Sequence, residues 1–323
     1  MNRRRDSSEG GRGGWDGREI ASVILEISGI TKILGLFLNS PRLRGPLLRA
    51  VNYHGTPASY KDNLYRHFQF YKKFFTVLGE GEVSSFLHGE PAMDRPGLML
   101  TFDDGLKSHY TVAAPLLDAH GLKGFFFLPV KFIELGEESM EAARAFFLDA
   151  ICPGADGIRC REEDRIPMSW EDAKDLVRRG HAMGCHGLTH RELSAGLADE
   201  RLYEEIVQSK RIMEKRINTS VSSFCWPIGR PSSYSNAADE LIRRHYQLAF
   251  TTFASPLRQN GDPYSIDRSN VEAHMSLSRV KCAVGGITEI VFRSRRRHFE
   301  NLIHAAGDVR DGRNGDLSQP TVR

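Results

Sequence analysis

Gly97-Leu98-Met99-Leu100-Thr101-Phe102-Asp103-Asp104-Gly105 carries an apolar run into two adjacent carboxylates and a glycine. A short, continuous apolar run marks a strand buried on both faces, as in a parallel sheet covered by helices. The C-terminal ends of such strands are where α/β enzymes keep their chemistry. Successive side chains on an extended backbone point to opposite sides, so one aspartate can face a metal while its neighbour faces a water or substrate. Asp-Asp-Gly is also ordinary turn vocabulary, with Gly105 free to take positive φ, so the pentapeptide alone leaves both turn and site open.

Further short apolar runs at 47–53, 124–129, 181–185, 223–226 and 248–252 read as companion strands. Helical patterns fill the gaps. Residues 64–78 carry Phe68, Tyr71, Phe75 and Leu78 at helical spacing; 112–120 carry Leu116 and Leu117 before a Gly121 stop; 170–179 follow Ser169 as N-cap and end at Gly180. In 199–218, Leu202, Ile206, Met213 and Ile217 fall near one face, with Glu204, Glu205, Lys210 and Lys215 elsewhere. Strand then helix, repeated, predicts an α/β fold with a parallel sheet, either closed as an irregular barrel or open and doubly wound. Residues 134–167 break the rhythm with charges, Gly154, Gly157, Cys152 and Cys160, and read as an excursion over the mouth of a barrel.

A chain of 323 residues holds one barrel of about 200–250 residues with appended ends. The expected division is a lead and amphipathic helix at 1–45, a catalytic barrel at 46–292 and a polar tail at 293–323. With 40% hydrophobic and 26% charged residues, the composition is that of a soluble globular protein with ample core. A net charge of +3 is too small to imply a nucleic-acid partner, and the Arg-rich run at 293–298 lacks aromatic interleaving, so it reads as a solvated end. Residues 21–38 are apolar in stretches, but Glu26, Lys32, Ser28, Gly29 and Thr31 make them too polar to span a bilayer. A packed amphipathic helix is the reading there, with peripheral contact to a membrane surface as its alternative. Five cysteines without a short repeated spacing argue against a disulfide framework and for a reducing, cytoplasmic setting; Cys152 and Cys160 are near enough to pair, yet no second pair accompanies them.

A second strand end, Met183-Gly184-Cys185-His186-Gly187-Leu188-Thr189-His190, sets two histidines four residues apart, a spacing that a helix or a tight turn can bring to one point. Neutral imidazoles are favoured ligands for zinc and similar ions, although lone pairs at this spacing also arise by chance. Two His and one Asp at strand ends on one barrel face would make a three-ligand site with room for water. In a third segment, Phe224-Cys225-Trp226-Pro227-Ile228-Gly229, Pro227 shapes the loop and Trp226 is either a wall for a sugar ring or plain core. The alternation of side chains turns Cys185 away from His186, toward packing.

In this order the three motifs resemble the polysaccharide deacetylase family, the carbohydrate esterase family 4 group that includes nodulation-type chitooligosaccharide deacetylases. Asn52-Tyr53-His54 and Gly121-Leu122-Lys123-Gly124-Phe125-Phe126-Phe127 are similar to the family's first strand end and second strand entry. The resemblance runs from Ala50 to Gly286 and implies a distorted (β/α) barrel of about seven parallel strands. It implies removal of acetyl groups from N-acetylated sugars, some members acting on O-acetyl or lipid-linked sugars. By position, Asp103 would be the general base, and Asp104, His186 and His190 would hold a divalent metal, zinc first, with cobalt, nickel or manganese as substitutes.

Two departures stand out. The family's Arg before the Pro of the third motif is replaced by Trp226, which leaves Arg268 as the candidate partner of Asp103. The late His that protonates the leaving amine has only His274 as a counterpart, in a setting that also suits a surface histidine. His54 would line the mouth and touch substrate, or else serve as a hydrogen-bonded structural residue. The expected partner is an acetylated glycan. Alternatives are a glycan-binding barrel with weakened catalysis, an O-acetyl esterase, and a hydrolase of non-sugar amides.

Overall fold

The computed structural model describes Gly29 and residues 38–90, 93–153 and 161–286. The amphipathic segment expected at 21–38 lies outside the described residues apart from Gly29 and Leu38, and so does the tail expected at 293–323. Among the described residues no helix is long and apolar enough to cross a membrane.

The strands are β1 (Leu47–Tyr53), β2 (Thr76–Val77), β3 (Gly97–Phe102), β4 (Phe125–Leu128), β5 (Ala182–Cys185), β6 (Ser223–Cys225), β7 (Leu248–Thr251), β8 (Leu257–Arg258) and β9 (Ile266–Asn270). β3, β4, β5, β6, β7, β9 and β1 pair side by side, all parallel, and β1 returns to β3, closing a barrel of seven parallel strands. This is the distorted (β/α) barrel expected. β2 adds beside the start of β3 and β8 beside the start of β1, both at the end opposite the motifs.

The period-two alternation of strands splits the core into two layers. Val51, Tyr53, Leu98, Leu100, Phe102, Phe126, Leu128, Cys185 and Phe224 face the helices. Leu48, Ala50, Met99, Phe125, Phe127, Cys225, Phe250 and Ile266 fill the barrel. Continuing the inward positions toward the C-terminal ends gives Asn52 on β1, Thr101 and Asp103 on β3, His186 beyond β5 and Arg268 on β9, all buried. The interior thus changes from apolar to polar toward the mouth. Gly184 is needed there, because a Cβ would sit 2.2 Å from the Phe127 ring.

The described residues of 134–167 are mostly helical: helices Val130–Glu138 and Met140–Phe146 lead into a π-turn, Phe147–Ile151. The segment then passes the mouth, where Lys107 N–H donates to Ile166 O at 2.7 Å and Met168 N–H to Gly105 O at 2.9 Å. Cys152 is disulfide-bonded, the pairing that its spacing left open, whereas Cys185, Cys225 and Cys282 are free and buried.

Two fully buried histidines brace the first strand. His67, in helix Lys61–Phe74, lies 3.2 Å from the Tyr53 hydroxyl through Nδ1 and 2.9 Å from Met275 O through Nε2. His109 Nε2 bonds His54 O. Burial pushes both imidazoles down to about 4 from an ordinary 6.5. Between those values the unfolded chain binds protons that the folded chain refuses, so stability is present above pH 6.5 and is lost as pH falls toward 4. The expected slope is about 1.4 kcal/mol per pH unit for each group. Urea midpoints measured from pH 7 to 4.5 should fall accordingly, and fall less steeply in His67→Gln; a flat profile would contradict this account.

Candidate active site

The catalytic-looking side chains come from the ends of β1, β3, β5, β6 and β9, which converge on one mouth because all are parallel. Asp103 extends the β3 ladder by one residue, its N–H donating to Tyr53 O at 2.9 Å, and its side chain points into the barrel. Asp104 then adopts φ 74°, which ends the strand and lifts its carboxylate over the mouth. Beyond β5, His186 N–H donates to Leu128 O at 3.0 Å, and the loop that follows reaches His190, again at positive φ, 56°. Side chains rarely adopt this backbone region, and such strain persists only where the surroundings enforce it.

Arg268 reaches across the interior from β9. One guanidinium nitrogen donates to Asp103 Oδ1 at 2.6 Å and the other to Asp103 Oδ2 at 2.8 Å, while Nε donates to Thr251 O at 3.1 Å. The first nitrogen also reaches Thr101 Oγ1 at 3.0 Å. Burial pushes the Asp103 carboxyl up, but Arg268 outweighs it and, with His186, holds the group well below the usual carboxylate range. Asp103 is therefore an oriented anion. Trp226 takes no part in this. It turns outward, 3% exposed, between Phe224 and Tyr234, and an enclosed ring offers no face to a sugar. Cys225 is what lies against Asp103, its Sγ 3.8 Å from Oδ1.

Asp104, His186 and His190 form a compact buried trio. Asp104 Oδ1 is 3.7 Å from His186 Nε2 and 3.4 Å from His190 Nε2, and this buried oxygen has no hydrogen-bond partner. The other ring nitrogens are engaged: His186 Nδ1 with Cys225 O at 2.8 Å and His190 Nδ1 with Ala150 O at 3.0 Å. Both partners are carbonyls, so Nδ1 carries the hydrogen and each Nε2 lone pair points at the orphaned oxygen. Burial pushes the His186 imidazole down to about 3, which keeps it neutral, and raises the Asp104 carboxyl. Three lone-pair donors facing one point without a proton between them suit a divalent cation. A second cluster, Asp103, His186 and Cys225, is equally close-packed. It fits a cation less well, since Arg268 occupies both Asp103 oxygens and burial raises the Cys225 thiol well above its ordinary value.

Around this centre, Pro227 is buried beside the histidine loop, and a Cβ on Gly187 would lie 3.5 Å from its ring. Ile228 follows at φ 66° with 37% of its surface exposed, and Gly229 N–H donates back to Pro227 O at 2.7 Å. His54 ends β1 with its ring 40% exposed and Nδ1 2.8 Å from Glu272 Oε1. Burial opposes protonation of His54, but Glu272 outweighs it and, with smaller contributions from Asp104 and Asp103, pushes the imidazole up to about 10. His274 sits two residues beyond Glu272, exposed and 5.9 Å from the Tyr60 ring. Glu272 was not singled out in the sequence; its only signal was a carboxylate just after the β9 pattern.

Residues 91–246 match the family model for polysaccharide deacetylases. Over that stretch, just under half of its length, the chain resembles polysaccharide deacetylases. YxkH of Bacillus subtilis (strain 168), described as a polysaccharide deacetylase, is 22% identical over 202 residues, 62% of this chain and 61% of YxkH, so this chain spans less than two thirds of that relative. The Streptococcus pyogenes deacetylase PplD, solved in complex with acetate, superposes with a TM-score of 0.57 at 18% identity over 74% of this chain and 98% of PplD. IcaB from Ammonifex degensii gives 0.55 at 18% identity over 75% and 98%. These solved structures share the barrel. The family match begins before β3 and ends before β7, so His54, Arg268 and Glu272 lie outside it and rest on the geometry alone.

Arg268→Met should leave Asp103 as an unpaired buried charge and lower unfolding free energy by about 3–5 kcal/mol. Urea denaturation at pH 7 measures this, and a loss below 1 kcal/mol would show the pair to be dispensable. His186→Ala should abolish stoichiometric zinc binding while Asp103→Asn retains it; metal analysis after gel filtration that finds the reverse would exchange their roles.

Proposed function

We propose that this chain is a metal-dependent hydrolase that removes acetyl groups from N-acetylated amino sugars of an oligosaccharide, polysaccharide or lipid-linked glycan. The observation that carries the reading is the unpartnered Asp104 oxygen facing two Nε2 lone pairs, with a second carboxylate, Asp103, held apart by Arg268. A divalent ion held by Asp104, His186 and His190, zinc first, supplies Lewis-acid polarisation of the acetamide carbonyl and a nucleophilic water near neutral pH.

The chain's own groups supply the rest. Each Asp103 oxygen receives one guanidinium N–H, and the further donors are long, Asn52 Nδ2 at 3.4 Å from Oδ2 and Cys225 Sγ at 3.8 Å from Oδ1, so a water that displaces one of them can be oriented by Asp103 and give up its proton to it. Arg268 keeps that carboxylate ionised and aimed. At the end of β1, between β3 and β9, His54 has Nδ1 fixed on Glu272, which leaves Nε2 to donate a proton to the departing amine. His54 therefore suits the acid role better than His274, whose exposed ring has Tyr60 as its neighbour. Beside the histidine loop, the exposed Ile228 edge, held by buried Pro227, contributes apolar surface suited to the acetyl methyl or the apolar face of a pyranose. The weakened glycan-binding alternative drew on a missing Arg partner for Asp103 and a missing late His; the Arg268 pair speaks against the first motive.

The test is acetate release by the metal-loaded full chain from chitooligosaccharides and a panel of N-acetylated and O-acetylated glycans. Asp103→Asn and His54→Gln should each lower kcat by about 10²–10⁴-fold. Release from acetyl esters alone would replace the amide reading with an esterase. No acetate from any glycan would sink both.

A further inference from the structure

Beneath the His186–His190 loop lies a carboxylate that the chemistry above does not use. Glu205 belongs to a π-turn, Glu204–Gln208, between helices Asp199–Tyr203 and Ser209–Ile217, and is 3% exposed. Ideal helical spacing sets it apart from the apolar face; the wide turn shifts the register and turns it inward. Such turns sacrifice regular helix bonds and recur at functional sites. Here the loosened carbonyls are taken up by side chains: the Ser209 hydroxyl donates to Glu205 O at 2.5 Å, and the Tyr246 hydroxyl to Ile206 O at 2.7 Å.

A buried carboxylate needs several donors to offset its lost hydration. Glu205 takes them almost entirely from the histidine loop. Oε2 accepts Leu188 N–H at 2.8 Å and Thr189 N–H at 2.9 Å, and Oε1 accepts the Thr189 hydroxyl. Arg191, half in solvent, approaches Oε1 at 3.5 Å. Gly187 has φ 80°, and a Cβ there would stand 2.9 Å from Oε2, so only glycine allows the loop this close. The loop carbonyls are held separately, Gly187 O by Val130 N–H at 3.1 Å and Leu188 O by Lys131 N–H at 2.8 Å. Helix Val130–Glu138 therefore fixes one side of the loop's backbone and Glu205 the other, immediately before His190 takes its strained φ of 56°.

We propose that Glu205 is a positioning residue for the metal centre, holding the loop so that His186 Nε2 and His190 Nε2 converge on Asp104 Oδ1. The inference rests on the reading of those three residues as metal ligands. Loss of such an outer contact typically weakens metal affinity by about 10–100-fold.

The experiment titrates zinc and cobalt ions alone into the full chain by competition with a chelating dye, and records the cobalt d–d spectrum. Glu205→Ala should weaken both ions by about 10–100-fold and alter the cobalt bands. Glu205→Gln keeps one acceptor oxygen for the two amides and should recover much of the loss. Circular dichroism and metal-free melting identify the folded variants, and Thr189→Val, which removes one donor only, serves where Glu205→Ala does not fold; it should weaken both ions several-fold. Wild-type affinity and spectrum in the folded Glu205→Ala, or failing that in Thr189→Val, overturn the proposal, even if melting temperature falls. A wild-type chain that binds neither ion overturns the ligand assignment itself.

Discussion

The Asp103–Arg268 pair joins opposite charges inside the barrel, where neither could stand alone. Its two strands, β3 and β9, flank β1, so the guanidinium spans a neighbour to reach the carboxylate. Ala50 of β1 is in register with Met99 on one side and Arg268 on the other. A one-residue slip of β9 would turn Arg268 toward the helices and strand Asp103 without a partner. The pair is thus a constraint on register as well as on protonation, and its cost is offset by bidentate geometry and the added contacts to Thr101 and Thr251.

That constraint divides the two adjacent aspartates. Asp103 remains on the strand's alternation and is fixed by the interior. Asp104 escapes it through a left-handed backbone and joins two histidines, one at a strand end and one in the loop that follows. The proposed ligands therefore depend on loop geometry far more than the proposed base does, and both histidines take their orientation from main-chain carbonyls, one on β6 and one in the π-turn Phe147–Ile151. A barrel of ordinary apolar strands carries a polar cap assembled from segments distant in sequence.

Much of this was legible in the chain. β1 and β3 follow their apolar runs residue for residue, and four other strands differ from theirs by one or two residues at an end. β9 was not legible, because Ile266-Asp267-Arg268-Ser269-Asn270 puts charge on both faces; its inward arginine makes sense only opposite Asp103. Trp226, left open between a sugar wall and core, could have been settled by counting alternation from inward Cys225, which sends it to the helix side. Glu205 could not be found by periodicity, since a π-turn shifts the register that periodicity assumes. The two histidines were found by their spacing at a strand end and by the motif order, but their carbonyl partners, Cys225 O and Ala150 O, carry no side-chain signature.

X-ray absorption at the zinc edge of the zinc-loaded protein tests the central claim most directly. Ligation by Asp104, His186 and His190 predicts a first shell of nitrogen and oxygen at about 2.0–2.2 Å with imidazole scattering from two rings and no sulfur. A sulfur shell at about 2.3 Å with one imidazole would put the ion on Asp103, His186 and Cys225 and contradict the separation of base from metal.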